Sequence, residues 1–253
     1  MVSGPMPKPE IKVLPDPSAV AAEAAARFVR AADEAISLSD RFTVALSGGS
    51  TPKAMHALLA AEPLRSRIDW AKVQVFFGDE RCVAPDHAES NYRMARETLL
   101  SKVPIPGDNV YRMRGEIDPN EAAKEYGRML KEKFGADGGL DLVLLGMGED
   151  GHTLSLFPGT AAVNETHHRC VANYAEHSTT GKSWRITLTA PFVNRCHEVV
   201  FLVAGANKAG ALSQVLEGPR DPQRLPAQLI DPASARLTWL IDAAAAGMRE
   251  GTE

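Results

Sequence analysis

Short apolar segments that end in glycine-containing polar turns, each followed by a helical pattern, restrict the fold of this chain more than any other feature of its sequence. Phe42–Leu46 is one such segment; it runs into a Ser-Gly-Gly-Ser-Thr-Pro turn and a helical pattern over residues 52–61. Val73–Phe77 repeats the unit, with a helical pattern over residues 91–100. Strands that alternate with helices form a mainly parallel sheet covered on both faces. The sequence therefore predicts an α/β fold with a Rossmann-like arrangement of three layers.

The remaining patterns extend this alternation along the chain. Hydrophobic periodicity predicts strands at residues 11–14, 140–145, 186–188, 199–203 and 237–241, and helices at residues 18–38, 119–134 and 207–216. Ser18 has the residue type of a helix N-cap. Residues 1–10 show little apolar periodicity and predict a flexible N-terminal tail. Because no repeat or linker-like stretch divides the rest, we expect one domain over residues 11–253.

Charge, hydropathy and cysteine content exclude several classes of protein. Lys and Arg total 28 against 32 Asp and Glu, so the net charge is −4 and no global positive field attracts nucleic acid. The apolar stretch at residues 199–206 is far shorter than the roughly 20 residues of a membrane-spanning helix. Cys82, Cys170 and Cys196 form no C-x-x-C pair and indicate neither a disulfide framework nor a structural zinc site. We therefore expect a soluble, cytoplasmic protein.

The turn after the second predicted strand has the composition of a phosphate-binding turn. Gly48 and Gly49 let backbone N–H groups approach an anion closely. Ser50 or Thr51 is suited to cap the following helix, with Pro52 in its first turn. A helix start favours a phosphate through its free N–H groups and its dipole. The alternative is a plain tight connection between a strand and a well-capped helix.

Gly146-Met147-Gly148-Glu149-Asp150-Gly151 follows an apolar segment and matches the G-x-G-x-x-G pattern of dinucleotide-binding turns. That pattern opens a long helix in dinucleotide-binding proteins, whereas here Pro158-Gly159 interrupt the chain within a few residues. We interpret the glycines instead as a turn that presents Asp150 and His152. Histidine titrates near neutrality and a neighbouring carboxylate orients its ring, so His152 is the candidate general base. The alternative is a histidine with a structural role.

Asp79-Glu80-Arg81 place two carboxylates and a guanidinium after the predicted strand Val73–Phe77. Arg81 is suited to bind a substrate oxygen or phosphate, with a neighbouring acid to anchor it. Arg185 and Lys208 are further cations at the ends of predicted elements. The alternative is a set of surface salt bridges and solvated charges.

Together these motifs resemble the 6-phosphogluconolactonase family. They occur in order along residues 11–241, and the most specific of them is the Gly-His-Thr block with its Leu-Phe-Pro-Gly continuation. The matching blocks are Leu46-Ser47-Gly48-Gly49-Ser50-Thr51-Pro52, Phe77-Gly78-Asp79-Glu80-Arg81, Ser90-Asn91-Tyr92, Gly146-Met147-Gly148-Glu149-Asp150-Gly151-His152-Thr153, Ser155-Leu156-Phe157-Pro158-Gly159, Arg185-Ile186-Thr187-Leu188-Thr189, Gly205-Ala206-Asn207-Lys208 and Leu225-Pro226-Ala227.

The resemblance implies an enzyme that hydrolyses 6-phospho-D-glucono-1,5-lactone to 6-phosphogluconate in the oxidative pentose phosphate pathway. It implies that His152 activates water, that Asp150 orients His152, and that Arg81 stabilises negative charge on the carbonyl or ring oxygen. It implies the following substrate- and phosphate-binding residues: Gly48, Gly49, Ser50, Thr51, Asp79, Arg185 and Lys208. It implies neither a metal nor another cofactor.

Two alternatives share this type of fold. Glucosamine-6-phosphate deaminases typically have Asp-Glu-Tyr and Asn-Gly-His where this chain has Asp79-Glu80-Arg81 and Asp150-Gly151-His152. Regulators that sense sugar phosphates usually carry a DNA-binding segment, and the sequence shows no basic helix-turn-helix extension. We expect a monomer whose partner is the sugar-phosphate lactone, with no binding to nucleic acid or membranes.

Overall fold

A computed structural model describes residues 9–175, 183–233 and 235–248. Its strands are β1 (Glu10–Leu14), β2 (Phe42–Leu46), β3 (Val73–Phe77), β4 (Asp79–Arg81), β5 (Leu142–Leu145), β6 (Cys170–Ala175), β7 (Ser183–Leu188), β8 (Glu198–Val203) and β9 (Arg236–Asp242). Its α-helices are α1 (Pro17–Ser39), α2 (Ser50–Leu59), α3 (Leu64–Arg67), α4 (Asn91–Ala95), α5 (Pro119–Phe134), α6 (Ala190–Val193) and α7 (Ala209–Glu217). A π-helical segment at Arg96–Leu100 continues α4.

Six strands form one sheet in the order β1-β9-β8-β5-β2-β3, and every neighbouring pair in it is parallel. The prediction of a mainly parallel α/β sheet is therefore confirmed. From β2 the chain adds β3 on one side, and then places β5, β8 and β9 in turn on the other side. This reversal leaves a crevice outside the carboxyl ends of β2 and β5, the position at which open parallel sheets bind ligands.

Side chains of the central strands point alternately to two apolar layers, as the two-residue period of a strand requires. In β5, Leu142 and Leu144 pack with residues of α1, α2 and α4. Val143 and Leu145 pack on the opposite face with residues of α5, α6 and α7. All four side chains are fully buried. Helices thus cover both faces of the sheet, and the predicted three layers are confirmed.

A second sheet was only partly anticipated. It has the order β4-β7-β6 and is antiparallel, and it contains the predicted strand at residues 186–188 within the longer β7. The sequence patterns did not predict β6, and they predicted a turn where β4 forms. β4 consists of three charged residues, and β6 (Cys-Val-Ala-Asn-Tyr-Ala) is a short segment interrupted by Asn173, so neither has the clear pattern of a strand. Their strand conformation depends on pairing with β7.

Two predicted N-caps are wrong. The Asp16 carboxylate caps α1 by accepting a 2.8 Å hydrogen bond from the Ala19 N–H, and Pro17 occupies the first helical position instead of Ser18 acting as the cap. Proline suits that position because its fixed φ is helical and it has no N–H to satisfy. Neither Ser50 nor Thr51 caps α2; Gly49 is its N-cap, and no described side chain hydrogen-bonds there. Helix α7 begins at Ala209, after a 3₁₀ turn over Ala206–Lys208.

β1 begins at Glu10, one residue earlier than predicted. The Glu10 carboxylate accepts two 2.7 Å hydrogen bonds from the Arg27 guanidinium of α1, which ties the edge strand to the helix layer. Residues 1–8 of the predicted tail lie outside the described residues. Within the described ranges, no helix has both the length and the hydropathy that crossing a bilayer requires.

His56 of α2 is fully buried in the apolar layer and lies two turns from the Ser-Gly-Gly turn. Its Nδ1 is 2.9 Å from the Thr98 hydroxyl, and that hydroxyl donates its proton to the Met94 carbonyl. Thr98 therefore accepts from the imidazole, which places the His56 proton on Nδ1. Nε2 has no hydrogen-bond partner among the described residues. Burial lowers the pKa of His56 to about 4.

Because β5 is buried on both faces, truncating one of its side chains should lower the free energy of unfolding substantially. Leu144→Ala leaves a cavity in the layer that contains α1 and α2, so we expect the free energy of unfolding to fall by about 2–5 kcal/mol. The matched control is Leu38→Ala on α1, where the side chain is 80% exposed. It should change the free energy of unfolding by less than about 0.5 kcal/mol. Equal effects in urea titrations of the two variants would contradict the proposed core.

The environment of His56 predicts that stability falls with acidification. An unfolded chain protonates this imidazole near pH 6.5, whereas the folded chain resists protonation until about pH 4. The free energy of unfolding should therefore decrease as the pH falls from 6.5 to 4, by on the order of 3 kcal/mol from this group. His56→Gln cannot take up the proton and should flatten that decrease in urea titrations. His197→Gln, at an exposed position, should retain the wild-type slope; a wild-type slope in His56→Gln would contradict the expectation.

Candidate active site

The Ser-Gly-Gly turn leads from the carboxyl end of β2 into α2 at the edge of the crevice. Because no described side chain caps this helix, the N–H groups of Ser50 and Thr51 face outward without an intrahelical partner. Gly48 is packed against Asn91, and a Cβ at that position would overlap the Asn91 amide. Asn91 is almost fully buried. The turn is therefore held against the start of α4 while its N–H groups remain available to an anion.

His152 and Asp150 form a hydrogen-bonded pair in the turn that follows β5. The His152 Nδ1 lies 2.6 Å from Asp150 Oδ1, and the His152 backbone N–H donates to the same oxygen at 3.1 Å. Burial raises the pKa of Asp150, but the hydrogen bonds and charge of His152 outweigh it and lower the pKa. The imidazole is 29% exposed and contacts the ring of Phe157, with 4.5 Å between centroids. With Nδ1 held by the carboxylate, Nε2 is the nitrogen that can accept a proton.

The glycine spacing of this turn brings the two side chains together. Gly148 lies directly beneath the pair, and a Cβ there would overlap both the His152 ring and the Asp150 carboxylate. Its N–H donates to the His152 carbonyl at 2.8 Å, which closes the turn. The Ala227 N–H donates to the Gly151 carbonyl at 2.9 Å, so a distant segment of the chain also fixes the turn.

The chain reverses direction immediately after His152. Leu154 has a φ of +55°, a left-handed conformation that is strained for a residue with a branched side chain. On one side of it, the Thr153 hydroxyl donates to the Gly146 carbonyl at 2.8 Å. On the other side, the Ser155 hydroxyl donates to Asp79 Oδ2 at 2.6 Å. The reversal therefore connects the His152 turn to β4.

Glu80 is a buried carboxylate that holds β4 against the start of α4. Its Oε1 accepts the N–H groups of Arg81 and Asn91 at 2.7 and 2.8 Å. Its Oε2 accepts the Tyr92 N–H at 2.8 Å and the Ser90 hydroxyl at 3.0 Å. Burial raises the pKa of Glu80 even though these four hydrogen bonds act in the opposite direction. The neighbouring Asp79 and Glu80 carboxylates thus accept hydrogen bonds from protein groups and hold the segments of the site together.

Two guanidinium groups lie side by side at the end of this second sheet, since Arg81 of β4 pairs with Arg185 of β7. Arg81 Nη1 donates to the Glu89 carbonyl at 2.6 Å, and its buried Nε has no hydrogen-bond partner in the described part of the chain. Arg185 is only 4% exposed. Burial lowers the pKa of Arg185, and the charge of Arg81 lowers it further, while Asp79 opposes both effects. The pair concentrates positive charge beside Asp79.

Lys208 lies in the 3₁₀ turn after β8 and is partly buried. The turn is fixed at its start, because the Gly205 N–H donates to both carboxylate oxygens of Asp242 at 3.0 Å. It is joined to the His152 turn by Asn207, whose amide donates to Glu149 Oε1 at 2.5 Å. Lys208 thus belongs to the same edge of the sheet as His152.

The predicted residues therefore lie in two places: in the turns that follow β2, β5 and β8, and on the second sheet, where Asp79 and Arg81 belong to β4 and the buried Arg185 belongs to β7. Sequence reasoning included Glu80, Asn91, Ser155 and Asn207 in its motifs but did not predict that they hold the turns in place. It did not single out Asp242 at all. Polar residues beside glycine turns were the available signal in the sequence.

Comparison with known proteins agrees with this architecture. Residues 15–239 match the family described as glucosamine-6-phosphate isomerases/6-phosphogluconolactonase. A 6-phosphogluconolactonase of Nostoc sp. is 41% identical to this chain over 243 residues, which are 94% of this chain and 97% of the relative. The human 6-phosphogluconolactonase is 38% identical over 209 residues, which are 81% of this chain and 80% of the relative.

Solved structures give the same result. A 6-phosphogluconolactonase from Trypanosoma cruzi superposes with a TM-score of 0.85 at 30% identity, covering 95% of this chain and 96% of that chain. A monomeric glucosamine-6-phosphate deaminase superposes with a TM-score of 0.81 at 18% identity, covering 95% of this chain and 100% of that one, which shows a shared fold alone. This chain belongs to the glucosamine-6-phosphate isomerase/6-phosphogluconolactonase family.

Proposed function

We propose that this protein hydrolyses 6-phospho-D-glucono-1,5-lactone to 6-phosphogluconate, with His152 activating the attacking water. The observation that carries the proposal is the hydrogen bond between His152 Nδ1 and Asp150, which leaves Nε2 as a base at the edge of the crevice. Relatives named 6-phosphogluconolactonase, with 38–42% identity over most of the chain, support the choice of reaction.

In the proposed reaction, water attacks the lactone carbonyl carbon while the neutral imidazole of His152 takes up one of its protons at Nε2. The tetrahedral intermediate then collapses with cleavage of the bond between that carbon and the ring oxygen. The imidazolium returns its proton to the departing ring oxygen, so the base is regenerated. Asp150 keeps the ring in the tautomer that has Nε2 free, and it stabilises the imidazolium that forms between the two steps.

Negative charge develops on the carbonyl oxygen during attack, and we propose that Arg81 stabilises it. A fixed donor acts most strongly where water is excluded and where it need not reorganise. The Arg81 guanidinium meets the second condition, because the Glu89 carbonyl holds Nη1. Arg185 adds positive charge from below. Asp79, which Ser155 and Asn91 hold in place, acts on the Arg185 guanidinium through its negative charge.

The phosphate is proposed to bind at the start of α2. The N–H groups of Gly49, Ser50 and Thr51, together with the helix dipole, suit a dianion, and Gly48 allows close approach. Lys208 supplies a mobile point charge for the same group. We keep the predictions of a monomeric enzyme and of a reaction that needs no cofactor.

A coupled assay tests the reaction. The lactone is generated in situ from glucose 6-phosphate by its dehydrogenase, and the appearance of 6-phosphogluconate is followed with and without the protein. We expect clear acceleration over spontaneous hydrolysis. No acceleration, together with ammonia release from glucosamine 6-phosphate, would assign the chain to the deaminase reaction instead.

Removing the base should affect turnover far more than binding. We expect His152→Ala to lower kcat by about 10²- to 10⁴-fold, the usual contribution of a general base, with little change in KM. His197→Ala is the matched control, since this histidine is exposed at the opposite edge of the sheet and should leave kcat unchanged. Near-normal turnover in His152→Ala would refute the role of this residue.

Removing the lysine that is proposed to contact the phosphate should affect substrate binding far more than turnover. We expect Lys208→Ala to raise KM by about tenfold, because a charge-assisted hydrogen bond to phosphate is lost, and to change kcat by less than a factor of three. Lys102→Ala, at an exposed position, provides the control for removing a lysine. An unchanged KM in Lys208→Ala would exclude this contact with the phosphate.

A further inference from the structure

A groove of about 830 Å³ lies between α5 and β6 and contains none of the residues placed in the candidate active site. Small side chains form much of its floor, among them Ala123, Gly127, Ala162 and Ala172. Its size is within the range of cavities that bind small molecules. The groove does not depend on the proposed reaction.

One wall of the groove is a row of cations on α5. Lys124, Arg128 and Lys131 all line it, and all three are exposed. Among the described residues, none of the three forms an ion pair or a side-chain hydrogen bond. The first and last of them are about 10 Å apart along the helix axis, given a rise of 1.5 Å per residue. The row is notable in a chain whose net charge is −4.

Two further cations line the groove beside the C-terminal end of α5. Arg169 donates hydrogen bonds to the carbonyls of Leu130, Gly135 and Ala136 at the end of α5. Arg195 donates to the same Ala136 carbonyl at 3.0 Å, so the two guanidinium groups converge on one oxygen. Burial lowers the pKa of Arg169, and the charge of Arg195 lowers it further. The two positive charges repel each other, and a bound anion would offset this unfavourable electrostatic energy.

The carboxylates near the groove do not neutralise it. Glu165 lines the groove, but its oxygens accept the N–H groups of His167 and His168 and contact His168 Nδ1. Burial raises the pKa of Glu165, but these hydrogen bonds outweigh it and hold the pKa at about 2. Asp137 acts on Arg169 only through its charge, without an ion pair. Among the described residues that line the groove, there are therefore five cations and one carboxylate, whose oxygens already accept hydrogen bonds.

We propose that the groove between α5 and β6 is a second anion site, which binds a small molecule carrying a chain of two or more phosphate groups. A single phosphate cannot reach cations spread over about 10 Å along α5 and also the guanidinium pair at the end of that helix. A di- or triphosphate chain can, and arginine provides the paired donors that phosphate oxygens accept. Two sources share this chemistry, a nucleotide and inorganic polyphosphate.

Isothermal titration of the full-length protein with ATP, and separately with inorganic tripolyphosphate, tests the proposal. The test variant is Arg128→Glu with Lys131→Glu, which reverses two exposed charges of the groove. The matched control is Arg30→Glu with Lys102→Glu, which makes the same change in net charge at exposed positions elsewhere. Titrations are repeated with saturating 6-phosphogluconate and with inorganic phosphate present.

We expect one equivalent of the probe to bind per chain at physiological ionic strength. The test variant should bind it at least about tenfold more weakly, because two charge-assisted contacts become repulsive. The control should bind like wild type, and neither 6-phosphogluconate nor inorganic phosphate should displace the probe. Tighter binding of ATP than of tripolyphosphate would identify a nucleotide as the ligand, and the reverse would identify inorganic polyphosphate.

Three results would overturn the proposal: no binding of either probe, displacement by 6-phosphogluconate, or equal weakening in the test and control variants. Lactone hydrolysis by the test variant should equal that of wild type, which shows that the variant is folded. An inactive wild-type protein would refute the proposed function and leave this inference unaffected, because the titration measures binding alone.

Discussion

The burial of β2 and β5 on both faces is the constraint on which the rest of the structure depends. Apolar side chains cover these strands above and below, so polar groups can meet only where the strands end. A one-residue shift in pairing would turn every side chain of a strand to the other layer, and the packing prevents it. The turns after β2, β3 and β5 are therefore held in fixed relative positions. The core and the candidate active site are products of the same packing.

The second sheet adds charged side chains to that edge, and their hydrogen bonding determines which kind of ligand the edge can bind. Buried carboxylates are already satisfied by the protein: Glu80 accepts four hydrogen bonds, and Asp79 accepts from Ser155 and Asn91. The hydrogen-bond donors are less fully satisfied: the buried Nε of Arg81 has no partner among the described residues. Acceptors that are satisfied internally and donors that are left over favour an anionic ligand. The arrangement suits a phosphorylated substrate on which negative charge also develops during reaction.

Positive charge is concentrated locally in a chain that is acidic overall. The net charge of −4 argues against a global positive field. At physiological ionic strength, however, exposed charges interact mainly within about 8 Å, so the local arrangement of cations decides what binds. The arginine pair beside β4 and the basic residues of the groove between α5 and β6 are two separate regions of this kind. Net charge alone reveals neither.

The sequence by itself determined the parallel α/β fold, the helix α5 with its ends, and the proximity of His152 to Asp150, since these follow from hydrophobic periodicity and from spacing within a few residues. It did not determine β4, which is three charged residues, or β6, which is a short segment interrupted by Asn173; both become strands by pairing with β7. It also missed the caps of α1 and α2, where Asp16 and Gly49 replace the expected hydroxyl side chains. Only the tertiary structure decided that Glu80 holds α4 and that Arg185 lies beside Arg81, because those contacts join residues far apart in the chain.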